Sequence, residues 1–346
     1  MKTQVLPITP ESVALAARLL QQGELVALPT ETVYGIAADA RNGEAVKKIF
    51  EAKGRPQDNP LIVHICGMEM LNGIVSEVPE RAKKLAAAFW PGPLTMVMPR
   101  GPEVSDVTCA GLDTVGVRMP SHPVVQQVIR TSGVAFAAPS ANLSGKPSPT
   151  NAPDTLADMD GRLPLILDGG ESNVGVESTV VAVTGEHPLL LRPGYVTKEQ
   201  MEAVLGEEVL VSPAILEKLK DGEVARSPGM KYKHYAPKAD LVLVEGETDK
   251  VVARINELVR EKQQLGQKVG VIATDETFLR YEADHVVSIG AREDEDAIAR
   301  HLYKILREFD DWNVDAIYSE SFATPRIGQA IMNRLLKAAG HQVIPV

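Results

Sequence analysis

The sequence predicts an α/β protein with a larger first domain and a smaller parallel α/β domain at its C-terminal end. Three observations carry this. A chain of 346 residues is long enough for about two domains, each with its own core. Short apolar runs of strand length recur through the first part of the chain. Several of them end in Thr, Ser, Asn or Arg, at the positions where α/β proteins gather ligands. From Leu241 onward, strand-like and helix-like runs alternate over roughly 105 residues, the pattern of a parallel sheet.

Taken in order, Pro10–Gln22 reads as a helix stopped by Gly23, and Leu25–Leu28 as a short buried strand. Pro29-Thr30-Glu31-Thr32-Val33-Tyr34-Gly35-Ile36 then sets two hydroxyls, a carboxylate and a phenol between that strand and the next helix. It is either a ligand loop or a turn in which Thr30 or Thr32 bonds its own backbone. Asn42–Ala52 is helical, with Ala45, Ile49 and Ala52 at helical spacing. Gly54, Pro56 and Pro60 end it and shape the loop Lys53–Pro60 before the strand Leu61–Cys66. If that loop is extended, Lys53 and Arg55 share one face beside the Gln57 and Asn59 amides, an arrangement suited to a polyanion. A solvated surface turn is the alternative.

Pro79–Phe89 reads as a helix and Trp90–Thr95 as a rigid architectural turn into the strand Met96–Met98. Thr114–Pro120 is a strand carrying Arg118 at its end, placed either to clamp a carboxylate or to pair at the surface. Val124–Arg130 is helical. The buried strand Val134–Ala138 runs into Pro139-Ser140-Ala141-Asn142-Leu143-Ser144-Gly145, a phosphate- or ribose-binding type of loop, and then into the stiff Lys146–Thr150. Leu163–Leu167 and Ser178–Val183 are strands, and Leu189–Leu191 leads to Arg192-Pro193-Gly194. Ser227–Pro237 is basic and aromatic, has neither helical nor strand period, and reads as a linker able to cover a nucleotide or touch RNA. Beyond it lie strands Leu241–Val244, Val269–Ala273, Val286–Ile289 and Ala316–Tyr318, with helices Asp249–Leu265, Asp294–Phe309 and Ile327–Ala339.

Composition removes several classes of function. Lys+Arg 36 against Asp+Glu 46 gives −10, which excludes a general nucleic-acid coat but leaves a local basic cleft open. Cys66 and Cys109 are the two cysteines, without a C-x-x-C, so a disulfide scaffold or structural zinc site is not expected. Met1–Gln22 has no signal layout, and no apolar run approaches membrane-spanning length, so a cytoplasmic protein without a membrane partner is expected. Neither a Ser-His-Asp context, a metal-ligand cluster, G-x-x-x-x-G-K-[ST] nor G-x-G-x-x-G occurs. His64 alone among the histidines stands in a dense polar constellation. The first domain instead offers the cations Lys53, Arg55, Arg118 and Arg192 with the polar groups Thr32, Asn59, Ser140, Asn142, Ser148 and Ser178. That set suits a nucleoside triphosphate beside a small carboxylate. Nucleotidyl transfer asks mainly for alignment and charge neutralisation, with Mg²⁺ riding on the phosphates.

Pro29–Gly35, Lys53-Gly-Arg-Pro with Asn59-Pro-Leu-Ile-Val-His64, Pro139-Ser-Ala-Asn142 and Ser227–Pro237 together resemble the YrdC-type L-threonylcarbamoyladenylate synthases. The likeness is to the long form, with a C-terminal Rossmann-like domain, and covers nearly the whole chain. It implies a YrdC-like twisted mixed sheet with flanking helices over residues 1–208, a basic aromatic linker over 209–238 and a Rossmann-like domain over 239–346. It also implies a reaction: L-threonine, bicarbonate or CO₂, and ATP give L-threonylcarbamoyl-AMP and pyrophosphate. The product would pass to a separate threonylcarbamoyl transferase complex that modifies tRNA, and direct tRNA contact stays open.

By the same resemblance Lys53 and Arg55 are catalytic, and Thr32, His64, Arg118, Ala138 (through its backbone) and Ser178 bind threonine. Arg55, Asn59, Thr114, Ser140, Asn142, Ser148, Arg192 and Arg226 bind ATP, Arg226 by way of the folded linker. Two other classes remain: an RNA-binding or ribosome-maturation module without turnover, and a carbamoyl-transfer maturation domain of the hydrogenase type. The absence of zinc-finger cysteines counts against the last.

Overall fold

The computed structural model describes residues 2–215, 234–324 and 326–346. The chain divides into two compact units, one of Met1–Ser144 with Ser148–Tyr232, the other of Gly145–Pro147 with Lys233–Val346.

The first unit opens with β1 (Gln4–Pro7), α1 (Pro10–Gln21), β2 (Val26–Leu28), β3 (Gly35–Asp39), α2 (Gly43–Lys53) and β4 (Ile62–His64). It continues through α3 (Glu80–Phe89), β5 (Leu94–Pro99), α4 (Asp106–Cys109), β6 (Thr114–Arg118), α5 (Pro123–Ser132) and β7 (Phe136–Ala137). It ends with α6 (Ala152–Met159), β8 (Leu165–Asp168), β9 (Thr179–Ala182), β10 (Leu189–Arg192), α7 (Lys198–Leu205) and β11 (Leu210–Val211). The strands form one mixed sheet of eleven, in the order β1-β8-β2-β3-β7-β4-β6-β5-β9-β10-β11.

Local chemistry sets the helix ends. Thr9 closes a capping box on α1, whose first residue is Pro10. The Asn42 side chain accepts from the Glu44 and Ala45 amides at the start of α2, and Gly54 ends that helix in the left-handed region at φ 61°. Strand alternation then sorts the core. Val26 and Leu28 of β2 face α1 and α5, packing with Val13, Leu20, Val125 and Ile129. Ala27 faces the opposite way, into the larger core with Ile49 and Phe50 of α2 and Leu85 of α3. Each such fully buried Val, Leu, Ile or Phe contributes about 1.5–3 kcal/mol.

The second unit holds β12 (Asp240–Glu245), α8 (Thr248–Gln264), β13 (Val269–Ala273), β14 (His285–Ser288), α9 (Glu295–Trp312), β15 (Ala316–Glu320), α10 (Ile327–Ala338) and β16 (Val343–Pro345). All five strands are parallel, in the order β14-β13-β15-β12-β16. The expected α/β class, with a large mixed sheet and a second, smaller parallel sheet, is the observed one. Within this unit Tyr235, at φ 64°, lies 5.3 Å from the Tyr303 ring of α9 and beneath the Arg334 guanidinium of α10. Among the described residues no helix is long and apolar enough to cross a membrane.

Several element expectations need correction. A strand, β3, intervenes between Pro29–Tyr34 and the next helix; its Gly-Ile-Ala-Ala-Asp sequence is low in β-branched residues and is placed by pairing with β2 and β7. The strand expected over Leu61–Cys66 is only Ile62–His64. Helices α6 and α7 and edge strands β1, β11 and β16 were not anticipated. Lys53 does not lie in an extended segment: it is the last residue of α2, and left-handed Gly54 separates it from Arg55, so the shared-face argument fails.

Candidate active site

The hub of the site is the Pro29–Ile36 segment, stitched by backbone hydrogen bonds to three other polar loops. Tyr34 N donates to Pro149 O and Ala141 N to Tyr34 O. Ile36 N donates to Pro139 O, and Gly175 N to Thr32 O. The turn reading is realised at Thr30, while Thr32 turns to Arg118. Thr30 shapes the turn, its hydroxyl reaching Val33 O at 2.6 Å and accepting from the Thr32 and Val33 amides. Thr32 Oγ1 accepts from Arg118 Nη1 at 2.9 Å. Tyr34 is structural: its buried hydroxyl donates to Gly170 O and accepts from Gly169 N, and burial pushes its pKa up to about 12.

Sheet register lines up the next group. His64 pairs with Arg118 across β4 and β6, Arg118 with Thr95 across β6 and β5, and Thr95 with Val180 across β5 and β9. Val180 in turn pairs with Arg192 of β10. Directly paired residues share a face, so one transverse row carries an imidazole, a guanidinium, a hydroxyl and a second guanidinium. Ser178 joins the row's end. Its hydroxyl lies 2.8 Å from Thr95 Oγ1 and accepts from Arg192 Nη2 at 3.2 Å, while Arg192 also holds Ser178 O. Gly194 makes this possible, because a Cβ there would sit 2.3 Å from Thr179 N. Beside the row Pro60, Ile62, Thr95, Val97, Thr114, Gly116 and Val180 line a shallow depression with room for about 10 Å³, with apolar Ile62, Val97 and Val180 among its lining.

Electrostatics sharpen the inner end. Arg118 and Glu31 are both buried, with Nη2 2.6 Å from Oε1. Burial opposes ionisation of Glu31, but the Arg118 charge together with hydrogen bonds from Arg118 and from the Ser121 and Glu31 amides outweighs it, holding the carboxyl below the usual range. His64 is buried against Phe136, and burial followed by the Arg118 charge pushes its pKa down to about 3. The ring is therefore neutral near pH 7. Its Nδ1 lies 3.1 Å from Ile62 O, a group that can only accept, so Nδ1 carries the proton and Nε2 is an acceptor. Ala138, whose amide donates to Ile62 O, follows directly on β7. Burial raises both thiols, Cys109 to about 11, which keeps them protonated.

The remaining residues form a second group. Buried Lys53 donates from Nζ to the carbonyls of Ser140 and Asn142, at 2.7 Å for the latter, and its own carbonyl accepts from Ser144 N. It thus clamps the Ser140–Ser144 loop to the end of α2. Arg55 donates to Asn59 O at 3.4 Å and stacks over Phe50. Asn59 is fully buried, and Ser148 donates to Glu177 Oε1 at 2.5 Å. Arg226 lies outside the described residues, as does Ser227–Lys233 of the linker motif.

Three residues of this site were not assigned from the sequence. Glu31 stood in plain view between Thr30 and Thr32. Glu177 adjoins Ser178. Thr95 falls at the end of the predicted Trp90–Thr95 turn, and only the β5–β9 register reveals its link to Ser178.

Two family models together cover most of the chain. Residues 18–194 match the Sua5_yciO_yrdC family, described as telomere recombination. Residues 196–340 match the family described as threonylcarbamoyl-AMP synthase, C-terminal domain. The chain is 51% identical to a threonylcarbamoyl-AMP synthase of Bacillus subtilis over 99% of this chain and 97% of that one. It is 48% identical to another from Pyrococcus abyssi, over 96% of each. The crystal structure of P. abyssi Sua5 complexed with L-threonine superposes with a TM-score of 0.94 at 46% identity, covering 99% of this chain and 100% of that one.

Proposed function

The chain belongs to the Sua5/YciO/YrdC family in its long, two-domain form, and from that premise we propose the reaction it performs. It is a threonylcarbamoyl-AMP synthase, an enzyme that joins L-threonine, bicarbonate or CO₂, and ATP into L-threonylcarbamoyl-AMP with release of pyrophosphate, and of water when bicarbonate is the carbon source. The observation that carries this conclusion is the match to threonylcarbamoyl-AMP synthases along essentially the whole chain, both units included. The site supports it with a buried guanidinium suited to an amino-acid carboxylate and a neutral imidazole acceptor beside it.

In the mechanism the threonine amine loses a proton and attacks CO₂ to give a carbamate. A carbamate oxygen then attacks the α-phosphorus of ATP, and the bond to the pyrophosphate leaving group breaks. Arg118 takes the threonine carboxylate, while Thr32, His64, Ser178 and the Ala138 backbone orient the rest of the amino acid. Charge builds on the phosphates as pyrophosphate leaves, so cations fixed in advance lower the barrier. Arg55 and Lys53 serve there, Lys53 also keeping the Ser140–Asn142 loop in register. Asn59, Ser140, Asn142, Ser148, Thr114, Arg192 and Arg226 hold the nucleotide.

Mg²⁺ enters as part of the substrate, neutralising the triphosphate. Among the described residues no group of three or more His, Cys, Asp or Glu is gathered for a metal ion. The adenylate then serves a threonylcarbamoyl transferase that modifies tRNA, in the cytoplasm. The test is incorporation of ¹³C-bicarbonate into an adenylate of the expected mass, dependent on threonine and ATP. Arg55→Ala is expected to abolish incorporation, and unchanged incorporation in that variant would overturn its assignment.

A further inference from the structure

The contact between Glu31 and Arg118 is close but incomplete. The charged atoms approach to 2.6 Å and the Ser121 amide is directed at the carboxylate, yet among the described residues neither Glu31 oxygen meets full hydrogen-bond geometry, and neither do Arg118 Nε and Nη2. These four atoms are buried, with Glu31 only 7% and Arg118 only 4% exposed. Buried polar atoms in native proteins are nearly always satisfied, so a set of orphans with one chemical pattern points to an absent partner. Here the pattern is a donor fork beside a pair of acceptor oxygens. Nε and Nη2 form the planar edge of a guanidinium that meets a carboxylate bidentately. The Glu31 oxygens call for a cationic donor. One small molecule supplies an anion and a cationic donor on adjacent atoms: an α-amino acid in its zwitterionic form.

We infer that Glu31 binds the ammonium group of the amino-acid substrate while Arg118 binds its carboxylate. The inference rests on the proposed function and assigns a residue which that reading leaves without a role. The surroundings agree. The other titratable groups facing Glu31 are His64, kept neutral by burial, and His122, whose Nδ1 is also buried without a hydrogen-bond partner. Arg118 is thus the one fixed full charge beside Glu31 in this group. When a substrate carboxylate takes the guanidinium edge, Glu31 needs a new counter-charge, and the substrate ammonium brings it.

The experiment measures binding of L-threonine and of 3-hydroxybutanoate, which is threonine without its amino group, to the full chain and to Glu31→Gln. The proposal expects Glu31→Gln to weaken threonine by about tenfold or more and to leave 3-hydroxybutanoate unchanged, because only one ligand carries the group that Glu31 meets. Equal weakening of both ligands would overturn it, since Glu31 would then act only through Arg118. Unchanged threonine binding would overturn it as well. Should Glu31→Gln not fold, Glu31→Asp keeps the charge but withdraws it, and must lower the preference for threonine over 3-hydroxybutanoate several-fold; an unaltered preference refutes the assignment. Turnover of threonine by the unsubstituted protein is measured in parallel. Its absence would count against the proposed function, whereas turnover with equal ligand losses would count against this inference alone.

Discussion

Removing Arg118 while leaving Glu31 in place strands a carboxylate in a site that is almost dry. The side chains are 5% and 8% exposed, so water cannot take over the lost ion pair. Breaking a buried pair from one side costs about 3–5 kcal/mol, a large share of the roughly 5–15 kcal/mol that holds a domain together. Arg118→Met is therefore expected to lose about 3–5 kcal/mol, and Arg118→Met combined with Glu31→Leu to recover most of it, because an apolar pair of similar volume is tolerated.

The loss should also depend on pH. In the unsubstituted protein Glu31 is held below its ordinary range, so its contribution is present above the unfolded pKa and fades as pH falls through the folded one. Without Arg118 the two largest causes that lower Glu31 are gone and burial, the largest cause of all, pushes it up against the remaining backbone hydrogen bonds, so the penalty is largest near pH 7 and shrinks toward the unfolded carboxyl pKa of about 4.3. Urea unfolding of both single variants, the double variant and the parent at pH 7 and pH 5 measures this, with the midpoint and slope both fitted. A single-variant loss under about 1 kcal/mol, or no recovery in the double variant, would refute the reasoning.

Thr95→Val keeps shape but deletes the hydroxyl that meets Ser178; it should cost about 1 kcal/mol and raise KM for threonine, measured by steady-state kinetics. The His64 ring should show no titration between pH 5 and 8 by NMR. Because the unfolded ring accepts a proton near pH 6.5 that the folded one refuses until about pH 3, His64 makes stability fall as pH drops below about 6.5. Gly54→Ala forces an L-residue into φ 61° with open space around it, so the expected loss is backbone strain of about 1–2 kcal/mol and a lower Tm by calorimetry.

Much of the C-terminal unit was legible because its helices are long and amphipathic and its strands are apolar runs, as in α9 and β13. The first unit yielded its loops more readily than its elements. Prolines and glycines mark Pro139–Gly145 and Lys53–Pro60, whereas α6, beginning Ala-Pro-Asp, carries no such signal of a loop. Strand β7 spans only two residues, too few for a period to register. What could not be read was anything decided by pairing between distant segments. Lys53 looks like a cation for solvent or phosphate, and only the approach of the Ser140–Asn142 loop makes it a clamp. Thr95 gains its role from strand β9, more than eighty positions on, through a register that no local pattern encodes.

The measurement that tests the central claim most directly is pyrophosphate release from ATP and bicarbonate with each amino acid in turn, the adenylate being identified by mass. Release with L-threonine, dependent on bicarbonate and accompanied by threonylcarbamoyl-AMP, is the predicted result. ATP binding without turnover for any amino acid, alongside salt-dependent affinity for RNA, would contradict the account and point instead to an RNA-binding module.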